Sequence, residues 1–100
     1  MVKIDLQQEE IIEDLLQRQS PEYNNLKAAE EFQELSLALM QKHLKPNKVK
    51  DQEIIDEIGD AIIRLNILCK KYDSTLINHR VYEKLSKFAE WSKTKRFEQI

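Results

Sequence analysis

The sequence predicts an all-α fold, an antiparallel four-helix bundle. Three observations predict it. Apolar residues recur at helical spacing in four separate stretches. Only one Gly and two Pro occur in 100 residues, so there is little material for turns or strands crossing back and forth. The breaks between the apolar stretches are short, which makes neighbouring helices antiparallel. At 41% hydrophobic the chain reads as one globular domain over residues 1–100, too short for two independent cores.

The first helix is expected over about residues 4–19, on Ile4, Leu6, Ile11, Ile12, Leu15 and Leu16. Ser20-Pro21-Glu22 then punctuates the chain. Ser20 can cap a new helix, and Pro21 suits its first turn because no N–H is needed there. A second helix follows over about 21–43, with Ala28, Phe32, Leu35 and Leu39 as its apolar stripe, and Pro46 excludes its continuation. Asp51 is the expected N-cap of a third helix over about 51–72, striped by Ile54, Ile58, Ala61, Ile62, Leu65 and Cys69. Ile63 and Ile67 lie on a second face, so this helix is expected to be buried on both sides. Asp73-Ser74-Thr75 offers capping groups for a fourth helix over about 75–92, with Leu76, Ile77, Val81, Leu85, Phe88 and Ala89 facing the core. Residues 93–100 read as a flexible basic tail.

Charge is distributed unevenly. Residues 1–60 carry 14 acids against 7 bases, and residues 61–100 carry 9 bases against 4 acids. The net charge of −2 gives no general affinity for nucleic acid or an anionic membrane. Cys69 is the only cysteine, which rules out an intramolecular disulfide and fits a reducing, cytoplasmic setting, with Cys69 itself as packing. No transmembrane run or signal sequence is visible.

The chemistry concentrates in two acidic pairs. Glu31 and Glu34 stand three apart on the second helix, and Glu57 and Asp60 stand three apart on the third. Residues at that spacing are surface neighbours, with Cβ atoms roughly 5–6 Å apart. Side by side, the two helices can bring four carboxylates together. At an effective dielectric of 20, two like charges 4 Å apart cost about 4 kcal/mol, so a cation is the natural occupant. A solvated face remains the better reading of any one of these acids, and Lys27 with Glu31 or Asp60 with Arg64 can form ordinary i,i+4 ion pairs. Two matched pairs on the two central helices are harder to explain that way. Neither His43 nor His79 stands three residues after a Glu, so the Glu-x-x-His pattern of di-iron bundles is missing. The all-oxygen donor set favours Mg²⁺, with Mn²⁺ as a substitute. Gly59 sits mid-helix beside these acids, where it costs about 1 kcal/mol relative to Ala and leaves room for a close approach.

Glu30-Glu31-x-x-Glu34, followed after 22 residues by Glu57-x-x-Asp60, resembles the signature of the MazG-like nucleotide pyrophosphohydrolases, an all-α superfamily. Helix order, helix length and the break near Pro46 fit the resemblance over roughly residues 20–90. It implies hydrolysis of a nucleoside triphosphate to a monophosphate and pyrophosphate. Glu31, Glu34, Glu57 and Asp60 would then match the Mg²⁺ ligands, and Glu30 the carboxylate that orients or deprotonates the attacking water. Bound Mg²⁺ would neutralise the triphosphate and polarise the α-phosphorus. Lys84 is similar to a family lysine in a Lys-x-x-x-Asn arrangement, although the Asn position is Phe88 here. Arg80, Lys87 and Lys27 are further candidates for the substrate phosphates, with Lys95 and Arg96 beyond them and Arg64 beside Asp60. Tyr82 and Trp91 can stack on a base, though packing is the commoner role of a helical aromatic. The family resemblance also implies a homodimer or a dimer of dimers, and the limited core of a chain this size points the same way. The alternative is a non-catalytic interaction or nucleotide-sensing module with the same fold.

Overall fold

The computed structural model describes residues 4–94. Among them the regular structure is all helix, without strands: α1 spans Leu6–Arg18, α2 Pro21–Leu44, α3 Asp51–Lys71 and α4 Ser74–Thr94. Lys93 and Thr94 continue α4, while Lys95, Arg96 and the rest of the expected tail lie outside the described residues.

Local chemistry explains where the helices start. Asp5 accepts from the Gln8 backbone N–H at 2.8 Å, and the Gln8 side chain accepts from the Asp5 N–H at 2.9 Å, a reciprocal capping box. Ser20 Oγ accepts from Tyr23 N–H at 3.1 Å, with Pro21 in the first turn, as expected. Asp73 Oδ1 accepts from Thr75 N–H at 2.8 Å to begin α4. The start of α3 differs from expectation. Its N-cap is Lys50, without a side-chain cap, and Asp51 is the first helical residue. The Asp51 carboxylate instead pairs with Lys42 Nζ at 3.1 Å. The same ammonium donates to the Val49 carbonyl at 2.7 Å, so one lysine near the end of α2 holds the turn that buries Val49.

The α2–α3 hairpin is the centre of the molecule; α1 packs on α3, and α4 touches α3 lightly. Ala28 and Ala61 are buried on α2 and α3, and their small side chains allow a close seam between these helices. Polar links fasten the rest. Lys70 Nζ lies 2.7 Å from Glu9 Oε2 and 3.1 Å from Glu13 Oε1, joining α3 to α1. Arg64 Nη1 donates to Gln19 Oε1 at 3.1 Å, and Lys71 Nζ donates to Asn25 Oδ1 at 2.9 Å. Arg64 is thereby turned away from the expected pairing with Asp60.

Several packing expectations need correction, beginning on α2, where Leu39 of the expected stripe is exposed. On α3, Ile67 on the second face is the most buried side chain, at 1% exposed, whereas Ile58 and Leu65 of the expected stripe are exposed. Ile63 is exposed too, so α3 is not enclosed on both faces within one chain. On α4, Leu76, Val81 and Leu85 are exposed instead of facing a core, because that helix packs chiefly on α3 and only lightly there. The radius of gyration is 16.5 Å, against about 13 Å for a compact chain of this length.

Candidate metal centre

The acidic pairs lie on the two helices that pack most closely. Glu31 flanks the apolar stripe of α2 and is half-buried, as its position about 70° from the stripe centre predicts. Glu57 is half-buried on α3, and Asp60, one turn further on, is exposed. One carboxylate oxygen from each of Glu31, Glu57 and Asp60 falls within 4.8 Å of the others. Across the α2–α3 seam, three of the four expected ligands therefore converge.

Glu34 is the fourth acid and stands at the exposed edge of the cluster. Its carboxyl is held above the usual glutamate range, first by the charge of Glu31, then by partial burial, then by Glu57 and Glu30. The direction of that shift places Glu34 within the electrostatic reach of the other acids.

Compensation from the chain is partial. Lys27 Nζ lies 3.3 Å from Glu30 Oε2 and 3.7 Å from Glu31 Oε1, and its pKa is raised, chiefly by the hydrogen bond to Glu30. Glu31 Oε2 and Glu57 Oε2 are buried and have no hydrogen-bond partner. Buried carboxylate oxygens left without a donor are costly. A cation held by the Glu31, Glu57 and Asp60 carboxylates would offset the charge gathered there. The residues present fit a hard divalent ion: every donor is a carboxylate oxygen, and neither His43 nor His79, both exposed, joins the set.

The cluster continues into a cleft of about 300 Å³ between α2 and α3, lined by Glu34, Leu37, Gln41, Glu53, Asp56 and Glu57 among others. Glu53 and Asp56 were not among the expected site residues. Their signal was present in the sequence, since Glu53, Asp56 or Glu57, and Asp60 recur every three to four positions along one side of α3.

Of the four expected phosphate-binding cations, Lys27 alone has an ion pair to these carboxylates among the described residues. Lys84 Nζ sits 5.6 Å from the centroid of the Phe88 ring and 5.8 Å from that of Trp91, on its own helix. Arg80 and Lys87 are exposed on α4, a helix that packs chiefly on α3. Trp91 tilts against Phe88 at 5.5 Å, while Tyr82 is exposed. Gly59 has open space where a Cβ would stand, so no neighbour within the chain requires a glycine there. No helix among the described residues is long and apolar enough to cross a membrane. Comparison with models of protein families, with curated proteins and with solved structures finds no match to this chain.

Proposed function

We propose that this chain is a Mg²⁺-dependent nucleoside triphosphate pyrophosphohydrolase of the MazG-like type, cleaving a (d)NTP to (d)NMP and pyrophosphate as a cytoplasmic homodimer or dimer of dimers. The observation that carries the reading is the pair of buried, unpartnered oxygens on Glu31 and Glu57, grouped with Asp60. The Glu-Glu-x-x-Glu and Glu-x-x-Asp spacing supports it from the sequence side.

In this reading Glu31, Glu57 and Asp60 hold the ion, and Glu34 closes its exposed edge. Bound there, Mg²⁺ supplies charge neutralisation for the phosphates and Lewis acidity at the phosphorus. Glu30, exposed and paired with Lys27, is the carboxylate this reading assigns to accept a proton from the water that attacks the α-phosphorus. The bond from that phosphorus to the bridging oxygen then breaks, and pyrophosphate leaves with the electron pair. Lys27, already beside Glu30 and Glu31, is the chain's own cation for a neighbouring phosphate oxygen.

The experiment is pyrophosphate release from a panel of standard and modified NTPs and dNTPs with Mg²⁺, comparing wild type with Glu57→Gln and Asp60→Asn. Metal-dependent release that falls at least a hundredfold in both variants supports the enzyme. Nucleotide binding without turnover would replace this reading with a nucleotide-sensing module.

A further inference from the structure

The faces of α1 and α4 left outside the packing are complementary. On α4, Arg80, Lys84 and Lys87 fall within about 60° of one another around the helix, and Val81 and Leu85 lie beside them on the next sector. Val81 is 50% exposed and Leu85 59% exposed. On α1, Glu10 and Asp14 lie beside Ile11 and Leu15 in the same angular order. Ile11 is 61% exposed, and Ile11 and Leu15 form one wall of an apolar groove closed by Ile4, Ile12 and Ile63, about 220 Å³ in volume. Asp14 carries a local ion pair to Arg18 at 2.7 Å, while Glu9 and Glu13 are engaged by Lys70. In sum α1 has four acids against Arg18, and α4 has Arg80, Lys84, Lys87 and Lys93 against Glu83 and Glu90.

Among the described residues α4 packs chiefly on α3, and no ion pair joins its cations to the acids of α1, so these two faces do not satisfy each other there. We propose that the face of α4 bearing Val81, Leu85 and the three cations docks on the Glu10–Asp14 edge of α1 and its apolar groove in a second copy of this chain. The angular order fixes the direction. When two helices carry their charged flank on the same side of the apolar stripe, antiparallel packing brings the flanks to one edge and parallel packing separates them. The α1–α4 contact is therefore antiparallel, with the basic flank against the acidic one and Val81 and Leu85 over the groove. Two such contacts exchanged reciprocally close a twofold dimer. Charge complementarity selects a second copy because both halves of the match belong to this sequence.

The inference rests on the homodimer of the proposed function and not on its chemistry. The test is sedimentation equilibrium of the full chain, without nucleotide. One variant reverses the basic face (Arg80→Glu, Lys84→Glu, Lys87→Glu), and another reverses the acidic edge (Glu10→Lys, Asp14→Lys). Wild type is expected to dimerise, each variant alone to weaken dimerisation at least tenfold, and an equimolar mixture of the two to restore it. A wild-type monomer overturns both the dimer and this surface. A dimer indifferent to both reversals overturns the surface alone and leaves the nucleotide reading untouched. Zero-length carboxylate–amine cross-linking of mixed isotope-labelled wild type gives a readout free of mutation. Links from Lys84 or Lys87 to Glu10 or Asp14 between copies are expected, and a cross-linked dimer lacking them overturns the proposal.

Discussion

Glu31 and Glu57 meet across the α2–α3 seam with one oxygen of each, Oε2, buried and without a hydrogen-bond partner. In the absence of a cation, that arrangement opposes folding. Glu57→Gln removes one of the two charges while keeping the shape. The metal-free protein is therefore expected to gain about 1–3 kcal/mol, less than the ~4 kcal/mol between two unit charges 4 Å apart at an effective dielectric of 20. Urea denaturation in a chelator checks this. Mg²⁺ should raise the midpoint of wild type and leave Glu57→Gln nearly unmoved. An equal response to Mg²⁺ in both proteins would remove Glu57 from the ligand set.

The raised pKa of Glu34 makes a prediction about pH. A carboxyl that is harder to ionise in the folded state favours folding while protonated, and that contribution is lost as pH rises from the unfolded value through the folded one. Metal-free wild type should thus lose this part of its stability on going from about pH 4 to about pH 7. Glu34→Gln should flatten that part of the profile, measured as melting temperature against pH in a chelator. A profile unchanged by the substitution would show that the charge of Glu31 does not reach Glu34.

At Gly59 a methyl group would meet open space. Gly59→Ala is expected to stabilise α3 by about 1 kcal/mol through helix propensity, raising the melting temperature by roughly 4–8 °C for a domain of this size. A loss of stability, or a loss of association in solution, would mean that another chain comes close to the backbone at this turn.

Lys70 fastens α1 to α3 through Glu9 and Glu13. Its raised pKa, caused first by the hydrogen bond to Glu9, gives a contribution present through neutral pH and lost as pH rises through the folded value. Because the pair is partly exposed, Lys70→Met should cost only about 0.5–1 kcal/mol globally. The larger effect is expected in amide exchange, where Leu6–Arg18 should exchange faster while α2 and α3 keep their protection. Unaltered exchange in α1 would assign its docking to Ile12 and its apolar neighbours instead.

The positions of the four helices were legible in the amino-acid order because their signals are local. Ser20-Pro21 and Asp73 act on the backbone within a turn of themselves, and the acidic spacing follows from helical geometry alone. Lys42 shows where local reasoning stops, since its ammonium reaches past the turn to the carboxylate of Asp51, the first residue of α3, while Lys50 holds the N-cap position. Which faces meet depends on how the helices rotate against one another, and that is settled by side chains far apart in sequence. Tertiary packing thus decided that Glu31, Glu57 and Asp60 converge while Glu34 borders them, and that Arg64 turns to Gln19. It also decided that Ile67 is buried while Leu85 is not, because α3 is packed by α1 and α2 whereas α4 leans lightly on α3.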